Sequence, residues 1–520
     1  MKNQARPVIP RRSSSSRSKI HISQSALAPS EQHQGSTTSG GEEEPEVKHV
    51  NFHLDNRLPS DYFKQDILKL IHELRIPKWK AVDFSSMAKD ILVSRISGAL
   101  TNAVYCVQPP PYLKGLIKAA HTANVIGGID QVTGAHVSSL KRTYHYKVPP
   151  KLLLRVYGPQ AGNLIDRDVE LAVIARLSRR KIGPKMLGTF TNGRFEQFLE
   201  AKALTKEDLR DPDVSIQIAK RMRELHDGLP LLDEERQKGP SVWKNINSWT
   251  EPAKTRLLQL AKKEDGAVQR ILGVEDIDAF FKAIDKYKTW IYEHENYTDE
   301  NIKQDLVFAH NDAQYGNLLR VLPPPGSPLL RPKNEHRQIV VIDFEYSGAN
   351  PRYFDIANHF CEWMSDYHDE VQPHFIHEDK YPTRSEQLNL IQGYVEHGAT
   401  EFDDVKIQAE VDSIMQRVRE WRPAVNAHWC IWGLVQAALD KTPEEEQAEA
   451  LSMSEQYKIT TSTETGSSDE GEVEEQEDEE GAFDYFAYSA QKAQLFWADL
   501  IDLGIIDSAD FKGQTKHIAA

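Results

Sequence analysis

From Asp61 to Arg75 the chain reads DYFKQDILKLIHELR, and Phe63, Ile67, Leu70, Ile71 and Leu74 recur at the spacing of one helix face. That spacing predicts an amphipathic helix. Shorter runs rich in apolar and β-branched residues follow: DILVSRI (90–96), NAVYCV (102–107) and KLLLRVY (151–157), all read as strands. DVELAVIARL (168–177) returns to a helical period, and IGPKMLGTF (182–190) with RFEQFLE (194–200) reads as turn and strands. From about Thr205 the pattern is mainly helical, ending in the helix YSAQKAQLFWADLIDLG (488–504). Two apolar runs interrupt it: LVFAHND (306–312) and QIVVIDFE (338–345) are expected strands. The Pro- and Gly-rich stretch between them, PPPGSPLLRPKNEH, has the composition of a loop. The two strands would pair as a hairpin whose far ends bring Asp312, Asn317 and Asp343 near one another. The class is α+β, a β-rich first part before a helical second.

Low-complexity segments bound these parts. Residues 1–48, with RRSSSSRSK and SGGEEEPE, bury too little apolar surface to offset the entropy of ordering them and are expected to be a disordered tail. Residues 49–200 would form an N-terminal extension and a β-rich nucleotide-binding lobe. Residues 201–520 would form a helical catalytic and substrate lobe carrying a disordered acidic insert at about 441–481. The formal charge of −15 belongs largely to that insert, because Glu444 to Glu480 holds fifteen acids against the single Lys458. Without a basic surface elsewhere, the composition argues against a nucleic-acid partner.

No segment approaches the roughly 20 apolar residues needed to span a bilayer, so no transmembrane segment is expected. The basic, Ser-rich start resembles a mitochondrial presequence in composition, but Pro7 and Pro10 break an early helix and no secretory h-region is present. Cys106, Cys361 and Cys430 are scattered and odd in number, which fits a reducing compartment, expected to be the cytoplasm.

The candidate chemistry lies in HNDAQYGNLLR (310–320) and IVVIDFEYSGANPRYFDIANHFCEW (339–363). A loop His-x-Asp-x-x-x-x-Asn followed by a strand ending Asp-Phe is the hardware of protein kinase-like phosphotransferases. Asp312 would accept the acceptor hydroxyl's proton, and Asn317 and Asp343 would hold Mg²⁺ across ATP phosphates, since oxygen ligands suit that hard ion. His310 reads as a buried prop and not as a reactant. Ser97, Gly98, Thr101 and Asn102 offer a polar turn over the phosphates. Arg155 interrupts its strand where kinases place Lys, with Glu170 as its expected partner, and Glu196 to Leu199 would be the adenine hinge.

Two features favour a small-molecule acceptor over a protein. Asn311 stands where most protein kinases carry an activation-loop-binding Arg, and no long Ala-Pro-Glu loop follows Asp343. Trp429 and Trp432, three apart on a helix, with Glu362, Tyr367, Tyr485 and Tyr488, would supply aromatic faces and a counter-charge for an ammonium group.

The strings VFAHNDAQYGNLL, VVIDFEYSGANPRYFDIANHFCEW and IWGLVQA resemble the choline/ethanolamine kinase family. FHLDNRLPSDYFKQDILKLIHELRIPKW is similar to the N-terminal extension of its fungal choline kinase members. The resemblance implies a eukaryotic protein kinase-like two-lobe fold, a requirement for ATP and Mg²⁺, and phosphorylation of choline on the route to phosphatidylcholine. It also implies Asp312 as catalytic base, Asn317 and Asp343 as metal ligands, and Ser97 to Asn102 as phosphate loop. Arg155 becomes the phosphate-binding cation and Gln197 part of the hinge. Gln314, Tyr346, Glu362, Tyr367, Trp429, Trp432 and Tyr488 would line the acceptor site, and Glu345 would help hold a second metal or position Arg352. Relatives of this kind are often homodimers, although no residue specifies that here. The alternatives are an ethanolamine kinase and a non-catalytic scaffold acting through its low-complexity segments.

Overall fold

The computed structural model describes residues 17–21, 46–96, 102–126, 147–157, 167–180, 182–400, 403–437 and 483–518. Ser97, Gly98, Thr101 and the acidic stretch 441–481 lie outside the described residues, and only the backbone of Asn102 and Glu170 is described. The chain divides into two units. The first takes residues Met1–Lys202, Leu319–Leu330 and Val340–Tyr346; the second takes Ala203–Leu318, Arg331–Ile339 and Ser347–Ala520.

The first unit is built on seven strands: β1 (Arg17–His21), β2 (Glu46–Val50), β3 (Leu92–Ile96), β4 (Asn102–Gln108), β5 (Leu152–Tyr157), β6 (Met186–Phe190) and β7 (Gly193–Gln197). They run in the order β1-β2-β6-β7-β5-β4-β3, antiparallel except for the parallel pair β2 and β6. The tail expected to be unordered thus contributes β1, because backbone pairing can order a strand that has no apolar core of its own.

Strand β5 shows why Arg155 is where it is. Its residues alternate between buried and half-buried, so Leu152, Leu154 and Val156 enter the core and Arg155 takes the other face. Helix α1 (Ser60–Glu73) closes the core as its period requires, burying Phe63, Ile67, Leu70 and Ile71, with Leu74 just past its end. These pack in one cluster with Leu152, Leu154, Val156 and Phe195, each worth about 1.5–3 kcal/mol of burial. Helix α2 (Arg167–Arg180) covers the predicted 168–177.

The second unit is mainly helical: α3 (Pro212–Gly228), α4 (Ser241–Lys263), α5 (Ile277–His294), α6 (Arg352–Glu362), α7 (Arg384–Gly398), α8 (Asp404–Gln436) and α9 (Tyr485–Asp502). Helix α8 is its axis, packing against α4, α6, α7 and α9. From Glu420 to Ile431 every residue of α8 is buried, so no polar face remains there. Side-chain oxygens cap several of these helices: Asp211 for α3, Thr383 in a capping box for α7, Asp403 for α8 and Asp484 for α9.

The expected hairpin does not form. Strand β9 (Leu306–Ala309) pairs antiparallel with β12 (Gly348–Pro351), Ala309 opposite Gly348. Strand β11 (Ile339–Val341) instead joins β10 (Leu318–Val321) in a sheet of order β11-β10-β8, where β8 is Ala201–Ala203. The Pro-rich loop returns the chain onto β10, its immediate predecessor, as short connections usually do. β9 is left for the strand after Asp343. Each motif loop therefore runs between the same two ladders, 310–317 from β9 to β10 and 342–347 from β11 to β12.

Candidate active site

Within the second unit the loop after β9 is fixed by one buried carboxylate. Asp355 of α6 accepts from the backbone N–H of Asn311 (2.7 Å) and of His310 (3.0 Å), and from His226 Nε2 (2.8 Å). Burial pushes this carboxyl up, but the His226 bond and charge, with His310, outweigh it and hold it below the ordinary carboxylate range. His226 is set in turn by the Tyr394 hydroxyl, 2.7 Å from Nδ1. Asn311 has φ of 65°, a left-handed conformation that Asn tolerates better than most residues. His310 is buried and its Nδ1 accepts from Asp312 N at 3.3 Å, the prop expected of it.

The loop closes on itself. Asn317 Nδ2 donates to both Asp312 O (2.9 Å) and Asp312 Oδ2 (2.8 Å), so the structure joins the candidate base to one candidate metal ligand. With Nδ2 so engaged, Oδ1 is the Asn317 atom suited to a cation. Gln314 spends its side-chain oxygen on Gly316 N at 2.7 Å. His359 Nδ1 donates to Ala313 O at 2.7 Å.

An acidic and aromatic cluster occupies the same unit. Glu362, at the end of α6, is 1% exposed, and the Tyr367 hydroxyl donates to its Oε2 at 2.6 Å. Tyr367 N donates to the Tyr315 hydroxyl at 2.8 Å. Trp429 and Trp432 stand with ring centroids 5.2 Å apart, and Trp432 lies 5.7 Å from Tyr485 and 6.2 Å from Tyr488. Phe483 completes the wall at 4.9 Å from Tyr485 and 5.4 Å from Tyr488. Trp429 is held by its N–H to Asn358 Oδ1 at 2.7 Å, and it is buried where Trp432 is half-buried.

Electrostatics tie this cluster to the loop. Burial raises the Tyr488 hydroxyl well above its ordinary value, and the charges of Glu362 and Asp312 push the same way. Tyr367 is raised by burial and by Glu362, so it remains a neutral donor. Burial raises the Glu362 carboxyl against the opposing pull of the Lys492 ammonium and the Tyr367 bond. Lys492 is itself fully buried, its Nζ 5.4 Å from the centroid of the Tyr488 ring.

The helices carrying these walls are clamped. Arg422 of α8 makes two bonds to Asp499 Oδ1 of α9 (2.9 and 2.6 Å), and Asn426 bonds Oδ2 at 2.9 Å. Gly433 permits close approach, since a Cβ there would meet Ser489 Oγ at 2.4 Å and the Tyr488 ring at 3.2 Å.

The first unit holds the remaining predicted residues. Arg155 Nη1 lies 3.7 Å from Asp343 Oδ1, so Arg155 faces the motif aspartate, while the side chain of its expected partner Glu170 is not described. Asp343 is left-handed, with φ of 62°. Its buried Oδ1 has no hydrogen-bond partner among the described residues. Glu196 is pushed up by burial but held lower overall by the charges of Arg194 and Arg155. Gln197 is exposed, and its backbone N–H donates to Lys185 O at 2.8 Å. Tyr346 is half-buried at the end of a first-unit segment. Within the first unit the Asp343 carboxylate is an oxygen donor, and its Oδ1, without a hydrogen-bond partner among the described residues, has the chemistry to suit a hard divalent cation such as Mg²⁺.

Sequence reasoning missed Asp355, His226, Asn358, Phe483 and Lys492. Two left a readable signal: Asp355 in RYFDIANHF and Lys492 in AQKAQLFW are charges at positions where the helix period demands apolar side chains.

A family model described as choline/ethanolamine kinase matches residues 93–497, and one described as choline kinase N terminus matches residues 38–86. The chain belongs to the choline/ethanolamine kinase family. It is 38% identical over 528 residues to the choline kinase of Saccharomyces cerevisiae, covering 92% of this chain and 82% of that relative. To the ethanolamine kinase of the same yeast it is 33% identical over 481 residues, covering 89% and 80%. The crystal structure of choline kinase from Cryptosporidium parvum Iowa II matches with a TM-score of 0.50 at 22% identity, over 86% of this chain and 99% of that one. That likeness shows the fold, the protein kinase-like α+β architecture read from the motifs. As a member of this family the chain is an ATP-dependent phosphotransferase.

Proposed function

We propose that the chain transfers the γ-phosphate of ATP to the hydroxyl of choline, giving phosphocholine for phosphatidylcholine synthesis, and that it works in the cytoplasm. The observation that carries this reading is the bond between buried Glu362 and half-buried Tyr367, set among Trp432, Tyr485, Phe483 and Tyr488, with the charge of Asp312 felt at Tyr488. A quaternary ammonium has no N–H to donate, so aromatic faces and a carboxylate are the groups that bind it well.

Asp312 accepts the proton of the choline hydroxyl as its oxygen attacks the γ-phosphorus and the bond to ADP breaks. The amide of Asn317 holds the Asp312 carboxylate in the orientation this transfer needs. Arg155 supplies a fixed positive charge for phosphate oxygens, the role kinases give to Lys. Ser97, Gly98, Thr101 and Asn102 are assigned to covering the phosphates, Gln197 and its neighbours to the adenine edge, and Gln314 and Tyr346 to the acceptor. Asn317 and Asp343 would hold Mg²⁺, whose chemistry is to neutralise phosphate charge.

Helix α9 brings Tyr488 to the aromatic wall, which supports its assignment despite the long acidic stretch that precedes it. The test is a substrate panel of choline, ethanolamine and an aminoglycoside with Mg-ATP. Choline should show the highest kcat/KM, whereas a strong preference for ethanolamine would reverse the assignment and no turnover of either would overturn it.

A further inference from the structure

Apart from the catalytic loop and the aromatic cluster, three potential ligands converge from three elements of the second unit. Glu224 lies on α3, His336 on the turn Pro332–Gln338, and His397 near the end of α7. Glu224 Oε1 is 3.0 Å from His336 Nε2 and 3.7 Å from His397 Nε2, and all three ligand atoms lie within 4.8 Å of one another. The imidazole rings meet edge to face, with centroids 5.0 Å apart. His336 is buried, while Glu224 and His397 are half-buried, so the group borders solvent.

Two imidazole nitrogens and one carboxylate oxygen make a donor set for a borderline transition ion such as Zn²⁺ and a poor one for Mg²⁺. Bonds of about 2.0–2.1 Å at tetrahedral angles separate ligand atoms by about 3.3 Å. The two separations from Glu224 Oε1, 3.0 and 3.7 Å, bracket that value, and the third lies within 4.8 Å. The fourth position would fall to water.

The surrounding charges decide whether this is a cation site or an ordinary ion-pair cluster. Arg221 Nη1 donates to Glu224 Oε2, the oxygen a metal would not use. This resembles the outer hydrogen bonds that orient metal-bound carboxylates. Arg337 is the competitor, because its Nε and Nη2 reach Oε1 at 3.2 and 3.1 Å. Its side chain is 56% exposed, so it can swing into water when another cation takes its place. Lys220 adds a repulsive charge at His397.

We propose that Glu224, His336 and His397 form a second, Zn²⁺-class metal site, separate from the Mg-nucleotide chemistry. The bound ion clips the turn Pro332–Gln338 to α3 and α7. That turn joins the chain of the Asn317 motif to the chain of the Asp343 motif, so the clip restrains the link between two catalytic segments.

The test is calorimetric titration of chelator-stripped full-length protein with Zn²⁺, repeated with Co²⁺, whose visible absorption reports tetrahedral nitrogen–oxygen coordination. Excess Mg²⁺ keeps the oxygen-ligand site engaged. One equivalent should bind, His336→Ala and His397→Ala should each weaken binding at least about tenfold, and Arg337→Ala should tighten it. The surface change Arg337→Ala keeps the test decisive if a histidine variant fails to fold. Absence of a stoichiometric Zn²⁺ site, or binding that all three variants leave unchanged, would overturn the proposal whatever the choline kinase assay returns.

Discussion

Replacing Asp312 by Asn keeps an acceptor for the Asn317 amide but removes the group to which we assign the proton. Asp312→Asn should therefore lower kcat by about 10²–10⁴-fold with an unchanged melting curve; turnover within a few-fold of wild type would refute the assigned role. If Trp432 lines the acceptor site as proposed, its replacement separates binding from chemistry. It is the half-buried member of the tryptophan pair, so Trp432→Ala exposes the ammonium without emptying the core. A desolvated cation–π contact of about 1–2 kcal/mol predicts a choline KM raised roughly five- to thirtyfold with the KM for ATP unmoved. Steady-state kinetics over both substrates would check this. At this scale the sequence was most informative, because Asp312, Asn317 and Asp343 announce themselves by spacing. Asp355 did not, since its role is to bind backbone N–H groups of a loop more than forty residues away, a relation that no local pattern encodes.

Among the elements, α6 performs two tasks through one buried face, fixing the catalytic loop by Asp355 and offering Glu362 to the aromatic cluster. Asp355→Asn breaks a buried hydrogen-bonded pair and should cost about 3–5 kcal/mol. Its pH dependence follows from the lowered carboxyl: the folded protein holds that proton less tightly than the unfolded chain does. The ionised group thus contributes stability above the ordinary carboxylate range, and this stability is lost as pH falls through and below it. Melting temperatures of wild type and Asp355→Asn should converge on acidification, and a constant gap would disprove the linkage. Gly433 governs the α8–α9 approach. Gly433→Ala forces the Cβ against Ser489 and the Tyr488 ring, which should cost about 1–3 kcal/mol and raise the choline KM more than it lowers kcat. A stability and KM equal to wild type would show that the helices yield at no cost. The helices were legible from their period, but the strand partners were not. β9 and β11 each read correctly as apolar runs, yet neither sequence says that β10 and β12, four residues each, would take them.

Considered as a whole molecule, the acidic stretch divides the chain between the two helices that build the aromatic wall. Among the described residues, Arg422, Asn426 and Asp499 tie those helices together. Replacing residues 441–481 with a Gly/Ser linker of equal length should leave kcat and both KM values within about twofold, since the contacts that join the two helices come from residues outside that stretch. Loss of choline binding with ATP binding intact would instead assign the stretch a part in ordering α9.

The sequence by itself determined the class of fold, the helical and strand periods, and the chemistry of the motif side chains, because these depend on residue type and near-neighbour spacing. Tertiary structure alone decided which strands pair, which buried charges brace the catalytic loop, and that Asp312, Glu362 and Tyr488 share one electrostatic environment. Those outcomes depend on distances between residues far apart in the chain, and such distances are fixed only when the helices and sheets pack.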